Sequence, residues 1–147
     1  MESRDSMEYI QKEHLEIVRL AEKMTAALAL ASKEDFAARQ RGLTELRELR
    51  TGLLGISQHC GAEDGILESD FHHYLDADLY GQLEHEHQTI RRLVGTLLRE
   101  LPYTTADSVG ELCATGEELL ERIREHVAFE EDMLWRVEER RGEYQYR

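Results

Sequence analysis

Four stretches of this chain repeat apolar residues at three- and four-residue spacing, and a histidine or a His–Glu pair interrupts every one of those stripes. The first stretch, Ser6 to Ala31, aligns Ile10, Ile17, Ala21, Met24 and Leu28, with His14 among them. The second, Asp35 to Leu67, aligns Leu46, Leu49, Leu53, Ile56 and Ile66, with His59 and Glu63. The third, Asp78 to Leu101, aligns Leu79, Leu83, Ile90, Val94 and Leu97, with His87. The fourth, from Thr105 or Asp107 to about Arg140, aligns Leu112, Leu119, Ile123, Met133 and Val137, with His126 and Glu130. Residues three and four apart share a helix face, so these six ionisable groups are expected to point into the core beside the aliphatic ones.

The sequence therefore reads as all-α. Pro102, the only proline, ends the third helix, and Thr105 and Asp107 are candidate N-caps for the fourth. Connections are short near Ser32 and Pro102 and longer from Glu68 to Ala77. This spacing predicts an antiparallel up-down-up-down four-helix bundle, one domain over residues 1–147, with 141–147 a candidate for a disordered tail.

An internal repeat sharpens the picture. Glu13-His14-Leu15-Glu16-Ile17 is matched by Glu86-His87-Gln88-Thr89-Ile90. His59 with Glu63-Asp64 is matched by His126 with Glu130-Glu131. His14 and His87 lie early in odd helices, while the two His–Glu pairs lie late in even ones. In an up-down bundle those positions share one end. His and Glu four apart sit one turn apart on a face, about 6 Å along the axis, so each pair can address neighbouring metals with the carboxylate as bridge. Burying such groups unpaired costs roughly 2–7 kcal/mol per polar group and more per charge. A lone histidine on an apolar stripe is usually a hydrogen-bonded core residue; six groups in a duplicated pattern at one level are better explained by a cation, to which imidazole and carboxylate both donate lone pairs.

Composition narrows the partners. With 18 Lys and Arg against 31 Asp and Glu the net charge is −13, which disfavours nucleic acid and anionic membranes. No stretch is apolar enough to span a bilayer and no leader is apparent. Cys60 and Cys113 form no C-x-x-C pair, so free thiols in a reducing cytoplasm are expected. His85 falls on a polar face, and His72 and His73 fall in the long connection; none of the three is expected to be a ligand. Ile56 and Ile123 stand where a ferritin-type Glu-x-x-His pair would need glutamate. Phosphate loops, nucleophile elbows and H-E-x-x-H motifs are absent.

At His14, His59/Glu63, His87 and His126/Glu130 the sequence resembles the hemerythrin-like family with its HHE cation-binding domain, over about Met7 to Arg140. The resemblance implies two iron ions held by those six residues, bridged by carboxylates and an oxo or hydroxo species. Zinc or another divalent metal is the lesser alternative. It also implies a small diatomic ligand or peroxide as partner, and oligomers are compatible with it. The oxygen carriers of that family place a fifth histidine four residues from the third-helix histidine; here those positions are Leu83 and Arg91. Water, a substrate, Tyr9 or Tyr80 could fill the vacancy. The carriers also use an aspartate five after the last histidine, where Glu131 stands; Glu130 is preferred because it matches Glu63. The implied function is oxygen or oxidant binding or sensing, with an enzyme turning over hydrogen peroxide, nitric oxide or oxygen as the alternative.

Overall fold

The computed structural model describes residues 3–71 and 75–145. Five helices follow one another: α1 (Ser3–Ala31), α2 (Phe36–Glu48), α3 (Arg50–Asp70), α4 (Ala77–Glu100) and α5 (Val109–Gln145), with no strand among the described residues. Asp35 caps α2 by accepting from the Ala38 N–H at 3.1 Å, and Asp76 caps α4 by accepting from the Leu79 N–H at 2.7 Å. The last helix is continuous to Gln145, past the Arg140 boundary expected from sequence. His72 and His73 lie outside the described residues.

Two boundaries differ from expectation. The second expected helix is two, α2 and α3, broken at Leu49, whose φ of −86° and ψ of 4° put it in the sparsely allowed bridge region. Its N–H donates to the Leu46 carbonyl three residues back, a tightened turn that bends the rod without any glycine or proline. The last helix begins at Val109 rather than being capped by Thr105 or Asp107, because Thr105 and Ser108 close a turn on each other first.

Taking α2 and α3 as one bent rod, each rod packs on the next and α5 returns to α1, so four antiparallel rods enclose one core. The register is visible in facing pairs. Gly42 lies against the α1 backbone at Ala27 and Ala31, His59 faces α1 near Glu13, and Leu28 meets Gly116 while His14 meets Glu131. Gly42 is required for its pairing: a Cβ there would sit 2.4 Å from the Ala31 nitrogen and 2.6 Å from the Ala27 carbonyl oxygen. At that same end Arg47 donates to the carbonyls of Leu101 (3.2 Å) and Thr104 (2.6 Å), satisfying acceptors that the end of α4 leaves free.

Two apolar clusters fill the interior. The larger runs through Ile17, Ala21, Ile56, Ile90 and Ile123 to the Gly42 end. The smaller, with Ile10, Leu67, Phe71, Leu83 and Leu134, plugs the other end. Between them lies a polar layer. Cys60 and Cys113 are free and buried in the larger cluster, and burial pushes the Cys60 thiol up to about 12. Among the described residues no helix is long and apolar enough to cross a membrane.

Candidate metal centre

Ser6, His14, His59, Glu63, His87, His126 and Glu130 are the buried polar side chains of the described residues, and all but Ser6 belong to the layer between the clusters. Four helices contribute: α1 gives His14, α3 gives His59 and Glu63, α4 gives His87, and α5 gives His126 and Glu130. Their neighbours one turn away, Ile10, Leu67, Leu83 and Leu134, anchor each helix in the apolar plug. The polar atoms are thereby fixed at one depth.

The donors divide into two sets, one of His14, His59, Glu63 and Glu130, the other of Glu63, His87, His126 and Glu130. Within each set one atom per residue lies within 4.8 Å of every other. In the first set Glu63 Oε2 approaches His59 Nε2 to 2.5 Å, and Glu130 Oε1 approaches His14 Nε2 to 2.8 Å. In the second, Glu63 Oε1 lies 3.0 Å from His87 Nε2, and Glu130 Oε2 lies 2.7 Å from His126 Nε2. Each carboxylate therefore turns one oxygen to each set. Few of these approaches are aligned as hydrogen bonds: His14 Nε2, His59 Nε2, Glu63 Oε2 and both Glu130 oxygens are buried without a hydrogen-bond partner. Converging, unsatisfied lone pairs of imidazole and carboxylate in an apolar shell are the environment that a cation fits.

A ring of outer carboxylates faces the other imidazole nitrogens. Glu131 lies 2.8 Å from His14 Nδ1, Asp64 lies 2.5 Å from His87 Nδ1, and Glu86 lies 2.6 Å from His126 Nδ1. Asp64 is itself gripped by Arg91, whose Nη2 donates to Oδ2 at 2.6 Å. An Nδ1–H that donates to a carboxylate leaves Nε2 as the lone-pair donor and fixes the ring plane. His59 is the exception, for its Nδ1 is 3.8 Å from Glu13 and has no hydrogen bond. These four acids are the residues preceding His14 and His87 and following Glu63 and Glu130. Sequence reasoning quoted them in the repeat, weighed Glu131 only as a direct ligand and gave the other three no task; their fixed offset from each donor was the signal.

Without a cation the same atoms share protons. Burial disfavours the His14 imidazolium, and the close Glu130 and Glu63 carboxylates outweigh it, raising its pKa to about 10. The same contest ends at about 9 for His87 and about 12 for His126, the latter also held by Glu86. Burial pushes the Glu63 and Glu130 carboxyls up, and the close imidazoles overcome it, holding both below the usual carboxylate range.

Other candidates fall outside the layer. His85 is exposed, as expected. Tyr80 donates its hydroxyl to the Asp64 carbonyl at 3.3 Å, and the Tyr9 hydroxyl engages Glu13, so neither tyrosine joins the donors. Leu83 belongs to the apolar plug and Arg91 serves Asp64, so neither position flanking His87 supplies a further donor.

Comparison with known proteins agrees with this geometry. No curated protein sequence and no solved structure matches the chain. The family profile described as the hemerythrin HHE cation binding domain matches residues 5–136. Together with a helical bundle that gathers histidines and glutamates into cation-ready sets, this match shows that the chain belongs to the hemerythrin HHE cation-binding family.

Proposed function

We propose that the protein holds two iron ions, one in each donor set, with Glu63 and Glu130 bridging them, and that it binds or senses oxygen or a related small oxidant there. The observation that carries this reading is the division of each buried carboxylate between two four-donor sets. Two histidines and two carboxylate oxygens per set form a mixed nitrogen–oxygen environment suited to non-haem iron, and they leave coordination positions open. Bound iron supplies electrons and those open positions to a small ligand.

The chain supplies orientation and exclusion of water. Asp64, Glu86 and Glu131 hold three imidazoles with Nε2 inward. Aliphatic side chains close the layer from both ends, with Ile10, Leu83 and Leu134 on one side and Ile17, Ile90 and Ile123 on the other. Such walls admit small, weakly polar molecules and disfavour larger polar substrates. Among the described residues the acids beside the donors, Asp64, Glu86 and Glu131, are engaged on the outward nitrogens of His87, His126 and His14. That supports binding or sensing ahead of turnover.

Anaerobic reconstitution with ferrous iron tests the reading. Metal analysis is expected to give two irons per chain, and oxygen or peroxide is expected to change the visible spectrum. A colourless protein that binds zinc stoichiometrically and rejects iron would overturn it. Sustained catalytic release of oxygen from peroxide, lost in Glu63→Ala, would move the assignment to an enzyme at the same centre.

A further inference from the structure

Two grooves flank the centre at positions related by the internal repeat. One lies between α1 and α3, has a volume of about 150 Å³, and is walled by Glu13, Glu16 and Ile17 on one side and Gly52, Gly55 and Ile56 on the other. Its counterpart between α4 and α5, of about 250 Å³, carries Glu86, Thr89 and Ile90 opposite Arg122, Glu125 and His126. Aligning His14 with His87 and His59 with His126 pairs Glu16 with Thr89 and Gly55 with Arg122. The two halves keep the donors alike and differ in what lines the way to them.

The differences run in one direction. Each groove brings two carboxylates, but the α1/α3 groove has no cationic side chain, whereas in the α4/α5 groove Arg92 and Arg122 stand against Glu86 and Glu125. At the inner end of the second groove Glu86 is committed to His126 at 2.6 Å. At the inner end of the first, Glu13 stands 3.8 Å from His59 Nδ1 and makes no hydrogen bond to it. Among the described residues His59 is the one histidine of the four with neither ring nitrogen hydrogen-bonded, although its side chain is only 2% exposed. Gly55 has no packing reason to lack a side chain, because a Cβ there would meet nothing within 4 Å. An acidic groove, kept open by a glycine and ending at a carboxylate that makes no hydrogen bond to the unsatisfied buried imidazole beside it, has the features of a path for a cation.

We infer that the α1/α3 groove is the entrance through which a hydrated divalent cation reaches the centre, with Glu16 as the outer contact and Glu13 as the carboxylate that hands it to His59 and Glu63. This inference rests on the proposed metal centre and adds a direction of loading to it. In the transfer, carboxylate oxygens replace water on the cation stepwise, so desolvation is spread along the groove. Cleft charge of one sign raises the local concentration of the opposite ion and the association rate, and salt screens the effect. The α4/α5 groove, where Arg92 and Arg122 offset Glu86 and Glu125, offers no such attraction.

Uptake kinetics test it. Metal-free protein is mixed anaerobically with ferrous iron held by a weak chromogenic chelator, and the loss of chelator colour gives both rate and final stoichiometry. Gly55→Arg places in the groove the side chain that its counterpart carries, at a site with room for it. The expected result is uptake slowed on the order of tenfold, with unchanged final stoichiometry. Glu16→Gln is expected to slow uptake less and to flatten its salt dependence. Arg122→Gly, the mirror substitution, is expected to leave the rate at the parent value or raise it slightly. Equal rates in the parent and Gly55→Arg would overturn the entrance, as would equal slowing by Arg122→Gly. A parent that takes up no iron at all would instead sink the centre, and the entrance with it.

Discussion

The two halves of the bundle present the same inner donors and support them differently. In the second half, His87 and His126 each have a carboxylate on Nδ1, and Asp64 is further locked by Arg91. In the first half, His14 has Glu131, but His59 has no hydrogen-bonded partner at all. Identical first contacts can therefore give unequal sites, because ring orientation and basicity are set one layer further out. The set around His87 and His126 is pre-organised by its outer partners; the set around His59 is held less firmly.

The comparison breaks most severely at what the halves share. Glu63→Ala or Glu130→Ala removes an oxygen from both sets at once, and both cations are expected to be lost on metal analysis after dialysis. Retention of one tightly held ion in either variant would show that the carboxylates are not shared. Next in size, His87→Ala and His59→Ala each strike one set; His87→Ala is expected to weaken binding more in competition titrations, because it discards the better supported donor. Equal losses would mean that the outer layer is indifferent.

Removing the outer carboxylates sharpens the contrast. Asp64→Asn and Glu86→Gln are expected to lower metal affinity roughly 10–100-fold, the usual cost of losing such a partner. Glu13→Gln is expected to change equilibrium affinity far less, since Glu13 makes no hydrogen bond to His59. A Glu13 variant as weak as the Asp64 variant would erase the proposed asymmetry.

The smallest expected effects concern protons. His14, His87 and His126, with pKa values raised from 6.5 to about 10, 9 and 12, hold protons at neutral pH that a metal must displace. Metal addition in weak buffer should therefore acidify the solution, and affinity should rise with pH. For the metal-free fold the sign is opposite on the alkaline side. Raised imidazole values give stability that is complete below about pH 6.5 and lost as pH climbs through about 9 to 12. The lowered Glu63 and Glu130 values give stability present above about 4.5 and lost in acid. Thermal melts of the metal-free protein should peak between those limits, and a melting temperature still rising at pH 10 would contradict the buried proton network.

Much of this was legible in the chain because polar residues on an apolar stripe have few explanations. His14, His59, Glu63, His87, His126 and Glu130 stood out against Ile10, Ile56, Leu83 and Ile123 and lie together in the layer. Glu13, Asp64 and Glu86 did not stand out, and Glu131 did so only as a rival ligand to Glu130, because all four occupy helix edges where an acidic chain places many carboxylates that merely face water. The break at Leu49 was hidden for another reason. It arises from one residue's backbone torsion where α2 closes on α1 through Gly42, and leucine carries no local mark of a bend.

The contact of Gly42 with the α1 backbone and the grip of Arg47 on Leu101 and Thr104 lie at the pole opposite the centre. A bundle clasped at one pole behaves like tongs. If the centre senses an oxidant as proposed, displacement of the donor layer is expected to show first at the opposite tips, where α1 starts and α5 ends.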